Sequence, residues 1–287
     1  MSIPRMLLRE RLLEILAEDI GMGDLTTEAV IPDGVEVEAQ IIAKEPLVLA
    51  GMLEIKEILD MIGVRVLKSI DDGVEVSEGT VLAEIIGDGR AILTVERTIL
   101  NILMRMSGIA TATRKLLRKL HEANLKVRIA ATRKTAPGLR YFDKRAVMIG
   151  GGDTHRYRLD DAVLIKDNHI AILGGVGRAV KAARSSVSFT KKIEVEVSSP
   201  EEAIIAAENG ADIIMLDNMG VDEAKKAIEA LEDRGLRKRV LIEISGGITE
   251  KNIIDYARLK PDVISIGALT HSVRSVDISL EIKRILN

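Results

Sequence analysis

Between Thr132 and His169 the chain reads TRKTAPGLRYFDKRAVMIGGGDTHRYRLDDAVLIKDNH. Eight Lys or Arg stand here (Arg133, Lys134, Arg140, Lys144, Arg145, Arg156, Arg158 and Lys166) against five Asp. That leaves +3 in a chain whose total is −3. Two of the four histidines, His155 and His169, and the run Gly150-Gly151-Gly152 fall in the same stretch. Guanidinium forks grip carboxylate or phosphate bidentately, and glycine-exposed backbone amides suit the same ligands. A solvated basic face would scatter lysines at helical spacing, without a glycine triplet or histidine. The stretch therefore predicts a site for a polyanionic small molecule.

Further candidates lie downstream. Glu196 and Asp217 close two apolar runs. They could ligate Mg²⁺, accept hydrogen bonds from sugar hydroxyls or stabilise a cation, or else serve as counter-ions for neighbouring Lys and Arg. Ser245-Gly246-Gly247-Ile248 opens a helix whose N-terminal amides suit a phosphate monoester, and Gly267 follows one strand later. Lys166 suits a Schiff base, an anion clamp or half of a salt bridge with Asp167. His155, beside Arg156, suits a carboxylate, a proton shuttle or a capped loop. Thr270-His271-Ser272 either extends the phosphate site or caps a helix.

The elements that must position these groups follow from periodicity. Apolar runs at 127–131, 162–166, 193–197, 212–216, 240–244 and 263–268 alternate with helical segments near 172–185, 201–209, 221–233 and 249–258. Repeated βα units with continuous apolar strands predict a parallel sheet covered by helices. Arg133-Lys134, Lys166, Glu196, Asp217-Asn218, Ser245-Gly246-Gly247 and Gly267-Ala268 all follow strands, which is the habit of a (β/α) barrel with its site at the strand C-terminal ends. Six strands make that barrel incomplete. Upstream, residues 4–19 form an amphipathic helix that gives way to a turn at Gly21 and Gly23. Short alternating strands fill 35–86 around one helix near 52–62, with a hairpin over 72–81 resembling those of biotinyl and lipoyl carriers. Leu93–His121 is a long helix with a break expected within 101–108, and Arg97 is free to point away from Glu96.

Composition excludes other classes. At 47% hydrophobic and 30% charged residues, 287 residues suit a barrel-sized domain plus a smaller one. No run approaches the ~18 apolar residues of a membrane span. Arg9, Glu10, Arg11 and Glu14 interrupt any signal-peptide core. Without cysteine there is no disulfide, thiolate nucleophile or Cys-bound metal, and the cytoplasm is the expected setting. The charge-rich, cysteine-free make-up is compatible with a thermophile. Aromatics at 2%, with no Trp, leave no base-stacking platform for nucleic acid.

Several long segments resemble the quinolinate phosphoribosyltransferase (carboxylating nicotinate-nucleotide pyrophosphorylase) family. They are EDIGMGDLTT at 18–27, ERTILNILMRMSGIATAT at 96–113, TRKTAPGLR at 132–140 and GGGDTHRYRLDDAVLIKDNH at 150–169. IEVEV at 193–197, MLDNM at 215–219, EISGGI at 243–248 and SIGALTHS at 265–272 continue the likeness. The resemblance implies an N-terminal α/β sandwich over 1–106, joined by 275–287, and an incomplete α/β barrel over 107–274. It implies a cytoplasmic homodimer with shared active sites, acting in NAD biosynthesis on quinolinate and phosphoribosyl pyrophosphate, with Mg²⁺. Matched position by position, Arg133, His155 and Arg156 hold the two carboxylates of quinolinate, with Arg97 reaching across the dimer. Lys134 and Lys166 face substrate and pyrophosphate. Glu196 and Asp217 bind ribose hydroxyls and Mg²⁺. Ser245, Gly246, Gly247, Gly267 and His271 take phosphate groups. The competing readings are a relative linked to molybdate transport, a Schiff-base aldolase using Lys166 and a non-enzymatic anion carrier.

Overall fold

Apolar spacing sets the first element. Leu8, Leu12 and Leu16 recur every four residues and are the buried face of α1 (Arg5–Ile20). The computed structural model describes residues 3–286; Met1, Ser2 and Asn287, from the expected N-terminal and 275–287 segments, lie outside them. Gly21 ends α1, and where a turn alone was expected a second helix follows, α2 (Leu25–Val30). Its N-cap is Asp24, whose Oδ1 accepts from the Thr27 amide at 3.0 Å. The chain continues through β1 (Glu36–Ala43), β2 (Leu47–Val48), α3 (Met52–Met61), β3 (Arg65–Ser69), β4 (Glu75–Val76) and β5 (Val81–Asp88) into α4 (Gly89–Glu122). Next come β6 (Arg128–Ala130), α5 (Arg140–Ile149), β7 (Val163–Ile165), α6 (Asp167–Leu173), α7 (Val176–Ser186), β8 (Ile193–Val197), α8 (Pro200–Glu208) and β9 (Ile213–Asp217). The last are α9 (Val221–Asp233), β10 (Leu241–Ser245), α10 (Ile253–Ala257), β11 (Val263–Ser265), α11 (Ala268–His271) and β12 (Ile278–Ile285). Among the described residues no helix is long and apolar enough to cross a membrane.

Two units divide the chain. Among the described residues the first takes 3–114, 141–151 and 273–286; the second takes 115–140 and 152–272. The first unit is built on an antiparallel sheet ordered β12-β1-β5-β3. Its core includes Leu12, Ile41, Ile55, Leu59, Leu82 and Ile85, each fully buried. Residues 72–81 do not form a hairpin with each other, because β4 pairs with β2 while β5 pairs with β1 and β3. Nor does α4 break within 101–108. A Cβ on Gly108 would stand 2.2 Å from the carbonyl oxygen of Arg274, so this glycine admits close backbone approach inside an unbroken helix.

The expected boundary at 106/107 therefore falls inside α4, and the division between units lies at 114/115. Helix α5 also belongs to the first unit from Tyr141 onward, although its sequence lies within the expected barrel. Its inward face is charged. Tyr141 donates to Glu54 at 3.0 Å, and Arg145 pairs with Glu54 at 2.7 Å and with Asp72 at 3.1 Å. Arg105 grips Asp143 bidentately at 2.7 and 2.9 Å. Lys144 and Arg145 are buried there, so two of the eight cations counted toward an anion site serve the core of this unit instead.

In the second unit six parallel strands are ordered β6-β11-β10-β9-β8-β7. The first strand in sequence pairs with the last, which curls the sheet into a barrel left open between β6 and β7. Along β6 that opening holds a single bridge from Ala130 to Asp153. The incomplete barrel read from the strand pattern is the one found. Ser199 and Pro200 start α8, with the Ser199 hydroxyl accepting from the Glu202 amide at 3.2 Å.

Candidate active site

Side chains alternate across a sheet, so register decides which groups meet. Glu196 lies opposite Met215, Met215 opposite Glu243, and Asp217 opposite Ser245. Glu194, Glu196, Asp217, Glu243 and Ser245 therefore share one face. The other face carries Ile193, Val195, Val197, Ile214, Leu216, Ile242 and Ile244, all at most 2% exposed. Helices α7 and α8 pack against β8. The apolar face is the barrel's outer layer, and the acidic one lines its interior. The sheet thus presents carboxylates in depth: Glu194 and Glu243 buried, Glu196 and Asp217 half-buried nearer the strand ends.

Lys166 follows β7 directly, and its Nζ pairs with Glu196 Oε1 rather than with Asp167. Asp217 ends β9, where its Oδ2 accepts from the Asn218 amide group at 2.8 Å. Asn218 adopts φ +55° and donates its backbone N–H to Ser245 at 2.9 Å. Gly246 sits under it at φ +90°, where a Cβ would stand 2.2 Å from Asn218 Oδ1. Only glycine fits there, and Gly247 at φ +62° extends the same left-handed turn, so the helix expected to open at Ile248 begins only at Ile253. Gly267 follows β11, and a Cβ on it would meet His271 at 3.0 Å and the Lys134 side chain at 3.2 Å. The Thr270 hydroxyl donates to the Lys134 carbonyl at 2.8 Å, which ties the loop after β6 to α11. Thr270 is thus not a helix cap. His271 is exposed, and its Nδ1 is 2.7 Å from the Ser272 hydroxyl.

Arg133 and Arg156 bring two guanidiniums together. Burial and then the charge of Arg133 lower the pKa of Arg156, so the two guanidiniums lie close enough to repel. The buried Nε of Arg133 has no hydrogen-bond partner among the described residues. Like charges held together with an orphaned donor fit an anion between them. Arg156 is anchored through Nη1 to the Ala162 carbonyl at 3.1 Å.

His155 enters through the gap in the barrel. Asp153 bridges to Ala130, and its Oδ1 accepts from the His155 amide at 2.8 Å, which holds His155 at φ +52°. The ring then reaches the interior: Nε2 is 3.2 Å from Glu243 Oε2 and 3.3 Å from Glu194 Oε2. Burial alone would lower its pKa, but hydrogen bonds to the two glutamates outweigh this and push it up to about 10. His155 is therefore an imidazolium at neutral pH.

The full set of expected residues divides by unit. Arg133, Lys134, His155, Arg156, Lys166, Glu196, Asp217, Ser245, Gly246, Gly247, Gly267 and His271 all belong to the second unit, on loops and strand ends of one barrel. Arg97 lies on α4 in the first unit, exposed.

The description "Quinolinate phosphoribosyl transferase, N-terminal domain" matches residues 24–107, and its C-terminal-domain counterpart matches residues 109–281. This chain belongs to the quinolinate phosphoribosyltransferase family. Among curated relatives, a probable nicotinate-nucleotide pyrophosphorylase [carboxylating] of Methanothermobacter thermautotrophicus is 50% identical over 270 residues, covering 94% of this chain and 97% of its own. The nicotinate-nucleotide pyrophosphorylase [carboxylating] of Homo sapiens is 38% identical, covering 85% and 82%. The crystal structure of NadC from Streptococcus pyogenes superposes with a TM-score of 0.91 at 36% identity over the whole of both chains.

Within this quinolinate phosphoribosyltransferase fold, the sequence reading missed Glu194 and Glu243. The signal was present. IEVEV and LIEIS place a carboxylate at every second position or singly inside strands otherwise apolar. A period of two in a parallel strand marks a polar interior face.

Proposed function

We propose that this chain transfers the phosphoribosyl group of phosphoribosyl pyrophosphate to quinolinate with decarboxylation, a step of NAD biosynthesis giving nicotinate mononucleotide, pyrophosphate and CO₂. The observation that carries this reading is Arg133 beside Arg156, with a buried, unpartnered guanidinium N–H. Quinolinate brings two carboxylates to such a place, and Arg97 of a second copy adds a further cation. The protein then works as a homodimer in the cytoplasm.

As the pyrophosphate departs with the electrons of the C1′–O bond, the ribose gains positive charge and the pyridine nitrogen bonds to C1′. When the 2-carboxylate departs as CO₂, its bonding pair stays on C2 as a carbanion stabilised by the adjacent, now positive, ring nitrogen, and a proton from solvent bonds to that pair. Glu196 and Asp217 accept from the ribose hydroxyls and favour the developing cation. Lys134 and Lys166 balance charge on the pyrophosphate. Ser245, Gly246, Gly247, Gly267 and His271 take phosphate oxygens through the amides of the turns after β10 and β11 and through side-chain donors. Lys166 suits this role better than a Schiff base, since its ammonium faces Glu196 rather than an apolar pocket.

Mg²⁺ fits the same carboxylates. Glu196 gives Oε1 to Lys166 and Asp217 gives Oδ2 to Asn218, which leaves Oε2 and Oδ1 as hard oxygen donors on one face. Two carboxylates plus substrate phosphates are a common Mg²⁺ arrangement, and the ion when bound neutralises charge on the leaving group.

The test is release of CO₂ from carboxyl-labelled quinolinate, with and without phosphoribosyl pyrophosphate and Mg²⁺, beside a reaction with nicotinate. Release that requires both additions, with no product from nicotinate, is expected. No release under any condition overturns the reading.

A further inference from the structure

Two buried glutamates behind the site have no part in the chemistry described so far. Glu194 and Glu243 come from β8 and β10, strands separated by β9. Both are 1% exposed, and both direct Oε2 to the same nitrogen of His155. Burying one carboxylate is costly, and burying two within reach of one another is costlier unless a cation joins them. The cations that face them are His155 itself and Arg156, which acts on Glu194; Arg133 stands beyond Arg156. Both cations thus face the carboxylates, while burial and then the neighbouring Glu243 push the pKa of Glu194 up. Glu196 and Asp161 also act on Arg156, and Asp153 holds the His155 backbone amide.

We propose that Glu194 and Glu243 are positioning residues, which hold His155 as an imidazolium with Nε2 turned inward and leave Nδ1–H as its donor toward a carboxylate of the substrate. Nδ1 has no partner among the described residues, and the side chain is 15% exposed. Neither glutamate touches substrate in this arrangement. They fix which edge of the ring is presented and ensure that it carries a proton, so that Arg133, His155 and Arg156 form a cationic face whose charge does not vary around neutrality. A single glutamate would let the Nε2–H swing about one acceptor; two, from non-adjacent strands, fix the direction in which it points. The same three groups could instead grip a divalent metal through Nε2 and the carboxylates, their donor atoms lying within 4.8 Å of one another. A dication there would stand near Arg156 and would require His155 to give up its proton, so hydrogen bonding is the favoured arrangement.

This inference rests on the transferase reading for what the face binds, but its first test needs no substrate. In protein labelled at histidine Cε1, the His155 resonance, identified by its loss in His155→Asn, is expected to stay at its protonated position from pH 6 to 8.5. In Glu243→Gln and Glu194→Gln it is expected to titrate within that range. A wild-type His155 that titrates near 6.5, or variants that leave it unchanged, would overturn the inference. Kinetically, Glu243→Gln should raise KM for quinolinate roughly ten- to hundredfold above neutral pH, and less below it. KM for phosphoribosyl pyrophosphate should stay near wild type. A uniform fall in kcat at every pH would mark Glu243 as structural only and sink the proposal. Glu243→Asp, which keeps the charge, should recover part of the lost affinity. Failure of CO₂ release with an intact imidazolium would fault the transferase reading alone; release with a normally titrating His155 would fault this one alone.

Discussion

The charge of single side chains decides most of what this site can do. Arg133 is half-buried and cationic, and its buried Nε lacks a partner among the described residues, so its removal should strip binding rather than folding. Arg133→Ala should lower kcat/KM for quinolinate on the order of a hundredfold, the scale of a lost charge-assisted pair, with little change in KM for phosphoribosyl pyrophosphate. Steady-state kinetics varying each substrate in turn would check it. His155 gives a prediction about stability. Its folded pKa, about 10, exceeds the ordinary 6.5, so its contribution is fully present below about pH 6.5 and is lost as pH rises through 10. Urea unfolding from pH 6 to 10 should show the His155→Asn deficit largest at the acid end and shrinking toward pH 10. The residues that touch anions were legible in the sequence because Arg, Lys and Gly gather where anions bind. Glu194 and Glu243 were legible only as a period of two inside strands that otherwise read as continuous apolar runs, and that signal was passed over. Lys144 and Arg145 were over-read for the opposite reason: their charges, clustered in sequence, turn away into another core.

At the scale of elements, strands with strong apolar character were placed well and backbone breaks were not. All six barrel strands fall where the apolar runs put them. The turn at 21–27 hides a helix, because the capping side chain of Asp24 outweighs the glycines before it. The break expected in α4 is absent, because Gly108 answers to a distant backbone and not to its own helix. Gly246 teaches the same lesson at the site. Its positive φ and the Asn218 side chain against it leave no room for a methyl. Gly246→Ala should cost about 1–3 kcal/mol in the second unit and weaken phosphate binding more than quinolinate binding. Thermal unfolding and the two KM values would read these separately.

Over the whole molecule, sequence distance and structural neighbourhood part company in the first unit. Its sheet takes an edge strand, β12, from the far end of the chain, with Ile41 opposite Leu280 and Ile42 opposite Ser279. Ending the chain at Asp277 should expose β1 along its length and unfold the first unit at lower denaturant than the second; two separated transitions, by circular dichroism and by proteolysis, would display this. No local pattern announces such pairing, since strand propensity says nothing about which edge a strand will join.

That pairing also orders events in time. Arg284 bonds Glu38, 246 positions earlier, at 2.6 Å. At a synthesis rate of about 5–20 residues per second, β1 waits roughly 10–50 seconds for its neighbour to be made. Barrel strands β6 to β11 are all synthesised within that interval. The half of the protein that is translated first is therefore finished last, and until then its open sheet edge depends on whatever shelters nascent chains in the cell.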